Sequence, residues 1–335
     1  MSTPFGSRGS TAIRSLPRIA LTLGDPAGIG PEIVRAALVD SRVQAAVELV
    51  VLGPRELRME GCQVVGSGEE LALVPSDSSR ALWMDSSEGK LGAFELGFAQ
   101  ETCGRAALDA LRLGADLGLS GAVDALVTAP VCKEALHLAG EKVEGQTQLL
   151  SRWAGAESCQ MMALAGDMRV LIATRHMPLK AALESLTPEL VLERLLLLNE
   201  SLQAFGFPAP RLALAGINPH AGEGGLFGDE ETLILEPALV RARAMGLDVT
   251  GPEPPDTVFV RAQSGVFDAV LALYHDQGFI PVKLAAPTTG LTVLLGMPYL
   301  RVSPAHGTAF DIAGRGTASP ENLITALLQA AQWCR

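Results

Sequence analysis

Ile19–Glu32 reads IALTLGDPAGIGPE: an apolar run, a loop built of Gly, Asp and Pro, and then a Pro-Glu pair. Residues 19–23 predict a buried strand. Pro31 suits the first turn of a helix, and Glu32 complements the positive end of that helix's dipole. A strand that turns sharply into a helix is the opening of a βαβ unit, and the alternation continues outward from it. Short apolar runs at 49–52, 125–128, 161–164, 170–174, 212–215, 269–273, 282–284 and 292–295 predict further strands. Helical patterns occupy 104–119, 188–205 (with Thr187 as N-cap), 229–245 and 320–333, while the Ser-rich stretch 56–90 predicts short strands and loops. The expected fold class is α/β, with a largely parallel sheet covered by helices.

The loop after the first strand is not a dinucleotide fingerprint. Gly28 and Gly30 are followed by Ile33 where G-x-G-x-x-G requires a third glycine, and Pro26 and Pro31 remove amide donors. Two uses remain, a ligand-facing turn or a purely structural one.

At 335 residues the chain is long enough for two lobes with a cleft between them. Hydrophobic content of 48% and charged content of 19% describe a folded chain with ample core. The formal charge of −11 argues against nucleic acid or anionic membrane as partner, because no basic field is present to neutralise phosphates. An acidic protein can bind an acidic metabolite only through a local cluster of cations. Five widely spaced cysteines without a C-x-x-C pair read as reduced thiols of a cytoplasmic protein. Among them Cys132 alone is flanked by candidate site residues, and a small buried hydrophobe is its plainer role. Residues 1–17 lack the apolar centre of a secretory signal and read as a flexible N-terminal extension. No apolar stretch is long enough to span a bilayer.

Four of the five histidines stand where an apolar run gives way to a loop: His176 in IATRHMP, His220 in LALAGINPHAGEGG, His275 in VLALYHDQG and His306 in SPAHGTAFDIAG. Strand C-termini are where open α/β sheets bind ligands. His176, His220 and His275 are too far apart in sequence for a zinc finger. Three neutral imidazoles that leave positions open suit a catalytic divalent cation, and the alternative gives each a hydrogen-bonding role in its own loop. Asp276, beside His275, is placed to orient a ligand, or is a solvated loop carboxylate. Lys283 in IPVKLA and Arg301 in PYLRVS interrupt apolar runs. They read as an anion clamp rather than edge-strand charges, and a buried Lys283 could also transfer a proton.

The segment His306–Leu323, HGTAFDIAGRGTASPENL, resembles the H-G-S-A-x-D-I-A-G-K-G-x-A-x-P loop of isocitrate and isopropylmalate dehydrogenases. In that superfamily this loop holds the adenosine half of the nicotinamide cofactor without a Rossmann fingerprint. LTLGDPAGIGPEI, VTAPVCKEAL, GINPHAGEGGLFGDEE, GPEPPDT and YHDQGFIPVK narrow the resemblance to the 4-hydroxythreonine-4-phosphate dehydrogenase (PdxA-type) family, over residues 18–330.

The resemblance implies an isocitrate dehydrogenase-like, two-lobed α/β/α fold with an inter-domain cleft. Residues 18–135 plus 285–335 would form a first, discontinuous domain on the cofactor side, and 136–284 a second on the metal and dimer side. It further implies that His176, His220 and His275 hold a divalent metal (Zn, Mg or Co), with His275 and Lys283 serving catalysis. Gln146, Thr147, Lys283, Thr292 and Arg301 would face the phosphorylated substrate. His306, Gly307, Thr308, Ala309 and Asp311 would hold NAD or NADP, Asp311 as acceptor for a ribose hydroxyl. Family enzymes are homodimers whose sites draw residues from both subunits.

Two departures fall in the substrate pocket. The family's G-H-T-E is here Gly145-Gln146-Thr147-Gln148, and Thr292 stands where the family usually has Asn. Gln146 can hydrogen-bond but cannot take up a proton at neutral pH. The implied reaction is oxidation of 4-phosphooxy-L-threonine, followed by decarboxylation to 3-amino-2-oxopropyl phosphate, in pyridoxal phosphate biosynthesis. Alternatives are a paralogue oxidising a threonate phosphate or a terephthalate-derived cis-dihydrodiol, and a zinc hydrolase without redox cofactor.

Overall fold

A computed structural model describes residues 15–75, 80–87, 89–156, 158–174 and 176–334. Most of the extension expected over 1–17 therefore lies outside the described residues. The chain divides into two compact units, Met1–Cys159 with Met297–Arg335, and Gln160–Gly296. The first unit thus takes in 136–159, and the second takes in 285–296.

The first unit begins with β1 (Arg18–Thr22), α1 (Gly30–Leu38), α2 (Ser41–Ala46), β2 (Glu48–Gly53), β3 (Gln63–Val65), α3 (Gly68–Leu73) and β4 (Leu82–Asp85). It continues through α4 (Glu101–Leu119), β5 (Ala125–Thr128), α5 (Lys133–Leu138) and α6 (Gln146–Trp153). The second unit contains β6 (Gln160–Ala165), β7 (Met168–Ile172), α7 (Leu179–Glu184), α8 (Pro188–Ala204), β8 (Leu212–Ala215), α9 (Glu236–Ala244), β9 (Val249–Glu253), α10 (Val258–Gln263), β10 (Ala269–Ala272), α11 (His275–Ala285) and β11 (Leu291–Leu295). The chain then returns to the first unit as β12 (Leu300–Pro304) and α12 (Glu321–Trp333).

Strands of the first unit run in the order β3-β4-β2-β1-β5-β12, and every pairing is parallel. Parallel strands buried on both faces need apolar side chains throughout, and β1, β2, β5 and β12 are buried along their whole lengths. Helix α4 packs on β1, β2 and β5, while α12 packs on β12, β5 and β1. The sheet is also tied by a charge. Buried Arg18 donates from Nε to Glu48 Oε2 at 2.6 Å and from Nη1 and Nη2 to the carbonyls of Leu71 and Val74, so one guanidinium joins β1, β2 and α3.

In the second unit the order is β11-β6-β7-β10-β8-β9. Pairings β11–β6 and β6–β7 are antiparallel, and β7–β10, β10–β8 and β8–β9 are parallel. The C-termini of β7, β10 and β8 therefore lie side by side at one end of the sheet. A core of Val170, Ile172, Val258, Phe259, Val270 and Val282 joins α10 and α11 to the strands.

The strand expected at 282–284 does not exist. Residues 275–285 form α11, and Lys283 lies exposed in its last turn. The apolar run IPVKLA is read correctly with a helical period, since Gln277, Gly278 and Val282 face inward. Gly278 lets the helix pack closely there, because a Cβ would come within 3.0–3.2 Å of Ile172, Val170 and Ala272.

Candidate functional site

Each of the three metal-candidate histidines follows the C-terminus of one of the adjacent parallel strands: His176 after β7, His275 after β10 and His220 after β8. Polar cross-links hold these loops together. Thr174 Oγ1 donates to the Leu273 carbonyl at 2.8 Å and joins the first loop to the second. Gln277 accepts the Leu273 N–H at 2.6 Å and donates to the Gly216 carbonyl at 2.7 Å, which joins the second loop to the third.

The rings of His176 and His275 lie 5.0 Å apart. His275 Nδ1 is 2.8 Å from Asp276 Oδ1, so the ionised carboxylate would favour the tautomer with Nδ1–H donating, which leaves Nε2 with its lone pair available. The orienting role considered for Asp276 thus has its geometry. His220 packs beside Phe227, and among the described residues no three His, Cys, Asp or Glu side chains converge on one metal position. The donors, imidazole with one carboxylate-oriented ring, suit a borderline divalent cation. A single chain supplies an adjacent pair of them.

The backbone around His220 is unusual. His220, Ala221, Gly222, Glu223, Gly224 and Gly225 all have φ between 44° and 94°, a left-handed turn of six residues. Left-handed conformation costs a non-glycine residue about 1–2 kcal/mol, and three such residues adopt it here, so surrounding structure must hold it. The fifth histidine differs. His137, in the last turn of α5, sits 2.8 Å from the Val143 carbonyl, a contact that ties the helix end to the loop after it.

In the first unit Arg301 on β12 is 3% exposed. Its Nη2 donates to Thr128 Oγ1 at 2.6 Å and to Gln146 Oε1 at 3.2 Å, while Gln146 Nε2 donates to the Ala129 carbonyl at 3.0 Å. Among the described residues Arg301 Nε has no partner, and burial pushes the guanidinium's pKa down to about 10. No carboxylate pairs with it among the described residues. A buried cation still charged at neutral pH and lacking a counter-charge calls for an anionic ligand. Thr147, half-buried, follows Gln146 in the first turn of α6. Thr292 is buried on β11 opposite Ala163. Lys283 is exposed with Nζ 5.8 Å from the Phe279 ring centre, so its own chain does not supply the enclosure a proton-transferring lysine requires.

His306–Asp311 forms the loop after β12. His306 Nδ1 lies 2.9 Å from the Gly307 carbonyl, Gly307 is open to its surroundings, Ala309 is left-handed (φ 43°) and Asp311 is exposed. An open loop at a strand C-terminus is accessible to a dinucleotide. The loop between β1 and α1 supports it from behind. Ile29 N–H donates to the Thr308 carbonyl at 3.0 Å, and a Cβ on Gly28 would meet Thr308 at 2.9 Å. Gly28 is thus a packing glycine, where a side chain would collide with Thr308.

Sequence patterns did not single out Thr128, Gln277, Asn218, Glu231 or Asp25. Thr128 ends a strand before Ala-Pro, and Gln277 follows His275 by two residues, so adjacency to chosen residues was the available signal. Asp25 is buried, one of its oxygens is unpartnered among the described residues, and desolvation raises its pKa to about 6 against backbone hydrogen bonds from Ala27 and Cys132.

Comparison with known proteins gives a consistent picture. The family model described as pyridoxal phosphate biosynthetic protein PdxA matches residues 43–330. A 4-hydroxythreonine-4-phosphate dehydrogenase of Geobacter metallireducens is 40% identical over 329 residues, covering 95% of this chain and 96% of the relative. A D-threonate 4-phosphate dehydrogenase of Salmonella typhimurium is 40% identical over 321 residues, covering 94% and 98%. The crystal structure of 4-hydroxythreonine-4-phosphate dehydrogenase from Klebsiella pneumoniae superposes with a TM-score of 0.84 at 36% identity, covering 96% of this chain and 99% of that one.

Proposed function

The chain belongs to the PdxA family, and on that premise we propose that it is an NAD(P)-dependent, divalent-metal-assisted dehydrogenase of 4-phosphooxy-L-threonine acting in pyridoxal phosphate biosynthesis. The observation that carries the reading is Arg301: a buried guanidinium with Thr128 and Gln146 as neutral neighbours and a free Nε–H, suited to an anionic substrate group.

His176 and His275, with His220, would hold the cation, and Asp276 keeps the His275 ring oriented toward it. His306–Asp311 would hold the nicotinamide cofactor's adenosine half, with Asp311 against a ribose hydroxyl. When bound, these groups supply Lewis-acid activation of the substrate hydroxyl and a hydride acceptor. Arg301, Gln146 and Thr147 of the first unit would anchor the substrate's anionic group. The β-keto acid product loses carbon dioxide because its carbonyl takes up the developing negative charge.

The third ligand, which none of the described residues of one chain brings to the His176–His275 pair, would come from a second subunit of a homodimer. Large apolar side chains exposed close to the histidines support that reading: Met177 and Leu179 after His176, Leu226 and Phe227 after His220, and Ile280 and Leu284 after His275. No helix among the described residues is long and apolar enough to cross a membrane, and a cytoplasmic enzyme is proposed.

A second reading, D-threonate 4-phosphate as substrate, is favoured by Gln146. Its amide is engaged by Ala129 and Arg301 and cannot titrate, and threonate carries a hydroxyl where the amino acid carries an ammonium. The test is kcat/KM on both phosphates with wild-type protein and Arg301→Lys. On the proposal, 4-phosphooxy-L-threonine is the better substrate. The Lys variant should raise KM about tenfold or more, because a point charge replaces a fork of donors. Preference for D-threonate 4-phosphate would establish the second reading, and an unchanged KM would remove Arg301 from the substrate site.

A further inference from the structure

We infer that Glu231 is the positioning residue for His220: its buried carboxylate holds the left-handed turn that presents that imidazole. The inference rests on the reading of His220 as a metal ligand. Glu231 is 4% exposed. Its Oε1 accepts the backbone N–H groups of Ile217 and Asn218, both at 2.8 Å, and its Oε2 accepts Asn218 Nδ2 at 2.8 Å. Glu230 Oε2 takes the same Asn218 Nδ2 at 2.7 Å. The carboxylate also fills the hollow of the turn, since a Cβ on Gly222 would stand 2.9 Å from Glu231 Oε2 and one on Gly216 would stand 3.3 Å from Oε1.

These contacts oppose a specific strain. Three non-glycine residues, His220, Ala221 and Glu223, sit in a conformation they do not adopt by themselves. Immediately before them, two consecutive N–H groups point at one acceptor. Only an ionised carboxylate offers two acceptor oxygens and no donor at this place. Glutamine would turn an amide donor toward Asn218 Nδ2, and Asn218 cannot flip to meet it without turning its own oxygen toward Glu230. The arrangement thus fixes the His220 loop before any cation arrives, as residues behind a metal ligand commonly do.

The experiment titrates zinc into metal-stripped full-length protein and its Glu231→Gln, Asn218→Ala and His220→Ala variants. Binding is read by competition with a chromophoric chelator, and backbone amide exchange is measured at Ile217 and Asn218. His220→Ala must weaken zinc binding if His220 is a ligand at all. Unchanged affinity there overturns the metal reading and this inference with it. Given that loss, Glu231→Gln and Asn218→Ala are each expected to weaken zinc about ten- to a hundredfold and to speed exchange at the two amides. Adding Ala221→Gly to Glu231→Gln should restore part of the affinity, because glycine adopts the left-handed turn without penalty. Wild-type zinc affinity in both clamp variants, with His220→Ala impaired, overturns the role of Glu231 alone. If Glu231→Gln does not fold, the Asn218→Ala result decides.

Discussion

Asp25 shows how burial at a single residue governs behaviour with pH. Its pKa of about 6 lies above the ordinary aspartate value of 3.8, so between those values the folded chain binds more protons than the unfolded one. Its contribution to stability is therefore most favourable below about pH 4 and declines as pH rises through 6, by roughly 3 kcal/mol at most. Asp25→Asn keeps an acceptor for the Ala27 N–H and removes the titration. Urea melts across this range should show the variant gaining on wild type as pH rises, and a constant difference would refute the assignment. Asp25 was invisible in sequence because nothing in GDPAGIG says which loop side chain is enclosed. Arg301 was legible, since a charge inside an apolar run must be paired or used. Lys283 looked alike and is exposed, because its run is helical and one face of it meets water.

Among the elements, the parallel strands were the most legible. Runs such as 125–128 and 212–215 coincide with β5 and β8, because strands covered on both faces leave no polar positions to blur the pattern. The short apolar run of α11 had no such clarity, since four to six apolar residues fit either period. The Arg18–Glu48 link was equally hidden, as only pairing of β1 with β2 brings the two together. Removing one partner leaves a buried charge, so Glu48→Ala should cost about 3–5 kcal/mol in denaturant titrations. Replacing both with apolar residues (Arg18→Met with Glu48→Leu) should cost far less. Equal losses in the two variants would show that the pair itself stabilises the sheet. The left-handed turn after β8 was foreshadowed only by three glycines in PHAGEGG. Its non-glycine members, and the carboxylate that holds them, emerge from tertiary structure.

At the scale of the molecule, the α/β class was readable from alternation alone, whereas assembly of the site was not. The three histidines reach the ends of neighbouring strands through an order, β7-β10-β8, that does not follow the chain. The proposed homodimer makes its own prediction. Leu226→Lys with Phe227→Glu, on the exposed segment after His220, should convert a dimer to monomer in sedimentation and lower zinc affinity in parallel. A monomeric wild-type protein that binds zinc fully would exclude a shared site.

On the proposed function, these histidines hold a cation without which the alcohol is not oxidised. The most direct measurement follows reduced nicotinamide absorbance with 4-phosphooxy-L-threonine, using chelator-treated protein before and after zinc is restored, and the His176→Ala, His220→Ala and His275→Ala variants. No reduction is expected without metal, full recovery with it, and none in the three variants. Undiminished turnover in the chelated protein, or in any one of those variants, would contradict it.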